Sequence, residues 1–198
     1  MKALISMLVL TFAISFLHAE GYQPGDKAKG FNLKNVDGKM VSNSDYQDAK
    51  GFIVIFTCNH CPYSVAYQDR IIALNNKYAA LGYPVIAINP NDSSIVQSDS
   101  YSNMQIRAKE KGFDFPYLLD ADQSLAHTYG ATRTPHVFIL QKDSNELIVR
   151  YIGAIDDNYE EPEKVKTRFV EQAVDALLED RLPEPNFTKA IGCTIKFS

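Results

Sequence analysis

A run of apolar, β-branched residues leads directly into a pair of cysteines, and this junction restricts the fold more than any other segment. Residues 51–57 read GFIVIFT, a continuous apolar stretch typical of a strand covered on both faces. Cys58 and Cys61 follow, and Pro62 opens a segment whose apolar residues recur with helical spacing up to Gly82. We therefore expect a strand, a Cys-x-x-Cys pair and a helix in this order. Such a pair could bind a metal, close a structural disulfide or shuttle electrons.

The remaining patterns predict one α/β domain over residues 20–198, with a mixed central sheet flanked by helices. Residues 31–42 alternate around Asp37-Gly38, which predicts an N-terminal β-hairpin. Helices and strands after the cysteines form the order β-α-β-α and then β-β-α, which favours parallel strands followed by an antiparallel pair. The further strands are predicted at 84–89, 136–140 and 146–153, and the further helices at 101–111, 122–130 and 161–180.

Composition excludes one large class of function. The chain has 198 residues, of which 45% are hydrophobic, enough for one sizeable core. A net charge of −4 provides no basic field for a polyphosphate, so we expect no nucleic-acid partner. The paired carboxylates at 156–157 and 160–161 are expected to be solvated charges of a loop.

The N-terminus has the pattern of a secretory signal peptide, predicted here as residues 1–19. Lys2 supplies the positive charge, residues 3–17 are nearly all apolar, and Ala19 is a small residue suited to cleavage. A retained membrane anchor is the alternative, since the apolar run is only slightly shorter than the ~17–25 residues that a span needs. Export to the periplasm or the extracellular space would allow a disulfide to persist.

Two separated motifs together resemble the thioredoxin fold. One is the Cys-x-x-Cys-Pro between strand and helix, and the other is the later stretch TRTPHVFIL, a Thr-Pro directly before a strand. The N-terminal hairpin, the insertion between Asn89 and Phe115 and the tail GCTIKF are similar to the exported redoxin and peroxiredoxin-like branch. The resemblance covers about residues 22–198. It implies a thiol–disulfide oxidoreductase whose only cofactor is its own Cys58–Cys61 disulfide.

The resemblance also implies a role for each residue of the pair. Cys58 is predicted as the partly exposed nucleophile, because a helix N-terminus stabilises a thiolate. Cys61 is predicted one turn later as the shielded thiol that resolves a mixed disulfide. We expect His60 to lower the pKa of Cys58 and so to make the pair more oxidising, as in disulfide-introducing relatives. The alternative is an exposed histidine with little coupling to the thiols.

Thr134-Pro135 resembles the cis-proline pair of the thioredoxin fold. By its sequence alone an X-Pro bond is expected to be trans, since only about 5–6% are cis in folded proteins. The resemblance implies a cis bond and a loop that offers the backbone of Thr134 to an extended substrate strand. Thioredoxin has a buried acidic residue before its cysteines, whereas residues 52–56 contain no ionisable side chain. His60, His136 or water could therefore accept the proton of the resolving thiol.

The expected partners are cysteine-containing exported proteins and a second redox protein that recharges the pair. We expect the mature chain to be a monomer. Peroxide reduction is not expected, because neither Cys58 nor Cys61 is preceded by the P-x-x-x-T-x-x-C pattern of peroxiredoxins.

A copper-binding chaperone is the competing hypothesis. Thioredoxin-like copper carriers use two cysteines and a distant histidine, and Cys58, Cys61 and His136 could supply such ligands. Those carriers space their cysteines three residues apart, whereas this pair has redox spacing. A structural zinc site is not expected, since the chain lacks a second Cys-x-x-Cys or a His-x-His that would complete four ligands.

Cys193 is left over when Cys58 pairs with Cys61. It lies in the apolar segment AIGCTIKF, which we expect to dock onto the domain. Free cysteines are among the most buried residues, so we predict a buried Cys193 whose Cα lies beyond the ~7 Å reach of a disulfide to the pair. The alternative is a docked tail that brings Cys193 beside the pair as a second resolving thiol.

Overall fold

The computed structural model describes residues 21–198, and an eight-stranded mixed sheet forms its centre. Its strands are β1 (Lys27–Ala28), β2 (Asn32–Asn35), β3 (Met40–Ser42), β4 (Gly51–Phe56), β5 (Val85–Asn89), β6 (Tyr117–Leu119), β8 (His136–Asp143) and β9 (Glu146–Gly153). The strand order is β1-β9-β8-β4-β5-β6-β2-β3. A second, two-stranded sheet pairs β7 (Arg133–Thr134) with β10 (Cys193–Thr194).

The helices lie on both faces of the large sheet. They are α1 (Pro62–Tyr78), α2 (Tyr101–Lys111), α3 (Ser124–Tyr129) and α4 (Phe169–Leu178). The predicted α/β fold with an N-terminal hairpin is thus confirmed, and β2 pairs with β3 around the predicted Asp37-Gly38 turn. None of the helices within residues 21–198 has the length and apolar character of a membrane span. The predicted signal peptide lies outside the described residues.

Strand β4 lies in the middle of the sheet, and its C-terminal end leads into the segment that carries the two cysteines. It pairs in parallel with β5 and antiparallel with β8, and each of its six residues is buried. Ile53 and Ile55 contribute to the core on the side of α1, α2 and α4, whereas Phe52, Val54 and Phe56 contribute to the core on the side of α3. This two-sided burial is what the uninterrupted apolar run predicts.

The predicted last helix is too long at its start. Residues Pro162–Lys164 form a single 3-10 turn, and α4 begins only at Phe169. The Asp157 carboxylate accepts a hydrogen bond from the Lys166 amide, and the Asp157 amide donates to the Thr167 carbonyl. These contacts hold the segment before α4 in an extended loop, because they occupy backbone groups that a helix would use.

Asp156 is not a solvated charge, contrary to the expectation for this loop. Its side chain is 4% exposed, accepts a hydrogen bond from the Tyr67 hydroxyl at 2.8 Å and forms an ion pair with Arg70 at 2.7 Å. Arg70 also donates to the carbonyls of Asn158 and Tyr159. Asp156 therefore fastens the loop before α4 to helix α1.

The C-terminal tail docks onto the domain, as predicted. Ile195 is 3% exposed within the core on the α3 side, and its amide donates to the Thr132 carbonyl. The Lys196 amide donates to the Asn91 side chain at 2.8 Å. Phe197 stacks on the ring of His127 with 4.1 Å between ring centroids. The tail is consequently an integral part of the fold around the cysteines.

Candidate active site

The loop between β4 and α1 carries both cysteines of the pair and is fixed by a buried carboxylate. Asp99 ends a short 3-10 turn, Gln97–Asp99, and its side chain is fully buried. One of its oxygens accepts hydrogen bonds from the amides of Asn59 at 2.7 Å and His60 at 3.3 Å. The loop conformation is therefore defined by a residue that lies about forty positions further along the chain.

The second oxygen of Asp99 orients the His60 ring. It lies 2.5 Å from His60 Nδ1 and accepts a further hydrogen bond from the Asn91 amide group at 2.7 Å. Since a carboxylate accepts hydrogen bonds, we assign the proton to Nδ1 of His60. The Cys58 sulfur is 3.6 Å from the same nitrogen. A buried acidic residue therefore lies near the pair, but it comes from the segment between β5 and α2 and not from β4.

The structure corrects the predicted positions of the two cysteines relative to the helix. Helix α1 begins at Pro62, whose fixed φ suits the first helical position, and Cys61 is the N-cap. Cys58 lies three residues before this cap and does not occupy the helix terminus. Cys58 is 2% exposed and Cys61 is fully buried, so the prediction of a partly exposed Cys58 is wrong.

Thr134, which directly precedes the cis-proline, contacts the sulfurs of both cysteines. Its hydroxyl oxygen is 3.2 Å from the Cys58 sulfur, and its carbonyl oxygen accepts a hydrogen bond from the Cys61 thiol at 3.1 Å. The Thr134-Pro135 peptide bond is cis, which confirms that prediction. The fold therefore brings together all five residues predicted for the site: Cys58, His60, Cys61, Thr134 and Pro135.

Several donors converge on the Cys61 sulfur and lower the pKa of this thiol. The largest contribution is a hydrogen bond from the Cys58 thiol, and the side chain of Cys193 and the backbone amides of Ser64 and Cys193 add to it. Burial acts in the opposite direction, and so does the Thr134 carbonyl, which favours a protonated thiol. Cys61 is also the N-cap residue of α1, where the helix dipole favours a negative charge, although its sulfur makes no capping hydrogen bond. The donors and the dipole together favour a thiolate on Cys61.

The surroundings of Cys58 raise its pKa. The shared hydrogen bond with Cys61 is the largest cause, followed by burial and by the negative charge of Asp99, and only Thr134 and the Cys61 backbone act weakly against them. His60 is not among the groups that shift this pKa, so its expected effect on Cys58 stays a prediction. His60 comes with a carboxylate in contact, and the carboxylate opposes a second negative charge.

Cys193 is partly exposed, so the prediction of a buried Cys193 is wrong, and the alternative of a docked tail that brings it beside the pair is the one observed. Its backbone amide donates to the Cys61 sulfur at 3.4 Å, and its side chain is partly exposed. Burial raises the pKa of Cys193 to about 11, together with its hydrogen bond to the Cys61 side chain. All three cysteines are free thiols in this structure.

The predicted copper ligand set does not assemble. His136 pairs with Phe56 across β4 and β8, and its ring packs against Phe138 in the core on the α3 side. Burial lowers the pKa of His136 to about 4. Within residues 21–198, the one cluster with potential metal-ligand geometry comprises Cys58, His60 and Asp99, whose ligand atoms lie within 4.8 Å of one another. Neither Cys61 nor His136 belongs to it.

Asp99 is the functional residue that sequence reasoning missed. It lies in the polar segment between β5 and α2, where no periodic pattern distinguishes one carboxylate from another. The available signal was its position within the insertion between Asn89 and Phe115, the segment that sets this chain apart from plain thioredoxin.

The chain is similar to several known proteins. The sequence profile of the Redoxin family matches residues 23–168. Thiol-disulfide oxidoreductase ResA of Bacillus thuringiensis (strain Al Hakam) is 24% identical over 159 residues, which cover 75% of this chain and 85% of that protein.

Two solved structures are similar over almost the whole chain. An uncharacterized conserved protein of Geobacillus kaustophilus is 37% identical with a TM-score of 0.80, covering 89% of this chain and 93% of that one. A hypothetical protein of Sinorhizobium meliloti 1021 is 30% identical with a TM-score of 0.82, covering 90% and 96%.

Proposed function

Because the chain belongs to the Redoxin family and is a thioredoxin-like thiol–disulfide oxidoreductase, we propose that Cys58 and Cys61 are its redox pair. One observation carries this assignment: both sulfurs face Thr134, which precedes β8, within 3.2 Å. Strand, Cys-x-x-Cys, helix and Thr-Pro loop thus have the arrangement in which a thiol–disulfide exchange site is expected. The cofactor is the disulfide that the pair itself forms.

We propose that Cys61, and not Cys58, forms the mixed disulfide with a sulfur from outside the pair. Cys61 is the N-cap of α1, and its sulfur accepts a hydrogen bond from the Cys193 amide at 3.4 Å; both favour the thiolate through which exchange proceeds. The Cys61 thiolate attacks a disulfide, forms a mixed disulfide and releases one thiolate. Cys58 then attacks the Cys61 sulfur, closes the Cys58–Cys61 disulfide and releases the second sulfur. The proton of Cys58 passes to the departing thiolate, and two electrons have moved to the partner. These steps recharge the pair, and their reverse oxidises two client thiols.

The substrates we propose are cysteines of other exported proteins, with a second redox protein restoring the pair. Export is supported by the sequence pattern of Lys2, the apolar residues 3–17 and Ala19. Thr134 and Pro135 are buried beneath the tail in this structure, so an extended substrate strand would have to displace β10 to reach them. This requirement limits which substrates gain direct access.

Stabilisation of the Cys61 thiolate should make the pair an oxidant. A lower pKa stabilises the reduced form, which raises the reduction potential above the about −270 mV of thioredoxin. The test equilibrates the mature protein with glutathione buffers and measures the oxidised fraction of Cys58 and Cys61 by alkylation and mass spectrometry. A potential below that of thioredoxin would contradict an oxidising pair.

A second assay tests the activity itself. Reduced, unfolded ribonuclease A and insulin serve as thiol and disulfide substrates, and the double variant Cys58→Ser/Cys61→Ser is the control. The wild-type protein should accelerate exchange with one of them, whereas the control should not. Equal rates for both proteins with both substrates would reject the proposed function.

A further inference from the structure

The C-terminal strand occupies the edge that a substrate strand would use. Strand β10 pairs antiparallel with β7, and its register sets Cys193 opposite Thr134 and Thr194 opposite Arg133. Gly192 permits this close approach, since a Cβ at its position would overlap the Thr134 carbonyl. The tail thus places Cys193 beside the pair, in the position where an extended strand of a substrate protein (a client) is expected.

The three sulfurs form a series with Cys61 in the middle. Cys58 and Cys61 both contact Thr134, at 3.2 Å and 3.1 Å, and the Cys193 amide donates to the Cys61 sulfur at 3.4 Å. Cys58 and Cys61 are buried, whereas Cys193 is partly exposed. With the tail docked, Cys193 is therefore the sulfur of this series that solvent and other proteins can reach.

Contacts on both sides of Cys193 hold the tail in this position. Before it, the amide of Thr188 donates to the Ile152 carbonyl, and the Thr188 hydroxyl accepts from the Ala154 amide at 3.0 Å. After it, Ile195 is buried in the core, and the Lys196 carbonyl accepts from the Gln123 side chain at 2.9 Å. Cys193 is consequently fixed beside Cys61 by the fold and does not depend on a fraying terminus.

We propose that Cys193 is a third redox thiol, which exchanges with Cys61 and carries the disulfide from the buried pair to the surface. The proposal rests on the proposed function, because it requires that Cys58 and Cys61 form a redox-active disulfide. It gives the tail the role of an internal substrate. Clients then exchange with Cys193 and need no direct access to the buried sulfurs.

The exchange is balanced within the chain. The Cys193 thiolate attacks the Cys61 sulfur of the Cys58–Cys61 disulfide, the new Cys61–Cys193 bond forms, and Cys58 leaves as a thiolate. Cys193 gives its proton to solvent, and Cys58 takes one up. No electrons leave the protein in this step. A client thiolate next attacks Cys193, releases Cys61 and leaves a mixed disulfide on the exposed sulfur, which a second client thiol resolves.

Oxidation of the pair itself should activate Cys193. Part of the raised pKa of Cys193 comes from the Cys61 thiolate, and this charge disappears when Cys61 enters a disulfide. The positive charges of Lys196 and Arg133 remain and favour the Cys193 thiolate. Cys193 is therefore a better nucleophile when Cys58 and Cys61 are joined in the disulfide that it attacks.

Disulfide mapping of the variant Cys58→Ser provides the first test. The variant is oxidised with glutathione disulfide, quenched with acid and digested without reduction. We expect a Cys61–Cys193 peptide as the main product, whereas Cys58→Ser/Cys193→Ser should retain glutathione on Cys61. If Cys58→Ser carries only glutathione and no Cys61–Cys193 bond, the proposal is wrong, whatever the activity of the wild-type protein.

The variant Cys193→Ser separates this proposal from the proposed function. Its pair should still be oxidised and reduced by glutathione, while its exchange with protein substrates should fall by about ten-fold or more, since the buried sulfurs lose their relay. Undiminished exchange with protein substrates would overturn the relay and leave the redox pair intact. Loss of glutathione exchange in the wild-type protein would instead reject the function of the pair.

Discussion

Cys61 has a sulfur neighbour on each side, and the two sides differ in burial, charge and origin. On the Cys58 side, a short loop is held by hydrogen bonds to the buried carboxylate of Asp99. On the Cys193 side, a strand from the far end of the chain is held mainly by backbone pairing and is partly exposed. The nearby charges are negative on the first side and positive on the second.

This contrast shows how one sulfur can serve two partners without a change of fold. The interaction with Cys61, burial and the negative charge of Asp99 raise the pKa of Cys58 and so favour its protonated thiol. The Cys193 side is cationic and partly exposed, which suits the proposed exchange with other molecules. The Cys58 side thus stabilises the reactive sulfur, and the Cys193 side gives access to it.

The largest effect should come from removing the sulfur that both sides share. Cys61→Ser leaves Cys58 and Cys193 without a common partner, so exchange with substrates should fall to the level of Cys58→Ser/Cys61→Ser. The insulin and ribonuclease assays measure this. A Cys61→Ser protein that is more active than Cys58→Ser would show that Cys58 is the reactive sulfur after all.

On the Cys58 side, Asp99→Asn should be strongly destabilising. The carboxylate accepts hydrogen bonds from the backbone amides of Asn59 and His60 and from the His60 ring. In Asp99→Asn, the side-chain NH2 would face one or more of these donors and could not accept from them. We expect the free energy of unfolding to fall by about 3 kcal/mol, measured by urea denaturation of the reduced protein.

The matched control for Asp99 is Asp48→Asn, which changes an exposed carboxylate. Its effect on the free energy of unfolding should stay within about 0.5 kcal/mol. The pKa of Cys58 should fall in Asp99→Asn, because the charge that raises it is gone. An unchanged Cys58 pKa in a folded Asp99→Asn protein would contradict the electrostatic role.

On the Cys193 side, Gly192→Ala should displace the tail with a smaller loss of stability. The new Cβ would overlap the Thr134 carbonyl, so β10 must move away from β7. We expect a loss of about 1–2 kcal/mol and a raised Cys61 pKa, since the Cys193 amide no longer donates to its sulfur. Ile191→Ala, at an exposed neighbour, is the control, and equal behaviour of the two variants would disprove the close approach.

The smallest effect is expected at the exposed Arg133. Its guanidinium donates to the Gly192 carbonyl and to the Thr194 hydroxyl, and its charge favours the Cys193 thiolate. Arg133→Gln should slow alkylation of Cys193 at pH 8 by less than about two-fold, because solvent screens the charge. In about 1 M salt the difference should vanish. A persistent difference would point to a structural cause.

The large elements were readable from sequence because their patterns are local. The apolar run of β4, the Asp37-Gly38 turn and the helix over 101–111 occur where they were predicted. Strand β6 was missed because its three residues, Tyr117–Leu119, are too few for a pattern. The Thr134-Pro135 bond was predicted correctly only through the resemblance to thioredoxin.

The predicted site residues meet in space, whereas their chemical roles could not be derived from order along the chain. Cys58 precedes Cys61, yet Pro62 begins the helix and makes Cys61 its cap. The acid and the third thiol come from Asp99 and Cys193, which contact the pair through long-range packing that no local pattern encodes.

The central claim is that Cys61 carries the thiolate of the reduced protein. The direct measurement is a pH titration of the cysteine ¹³Cβ chemical shifts in the reduced wild-type protein, which reports each sulfur without a substitution. We predict that Cys61 titrates below pH 7, that Cys193 titrates near its raised pKa of about 11, and that Cys58 remains a thiol throughout the neutral range. Titration of Cys58 below pH 7, with Cys61 still protonated, would contradict the account.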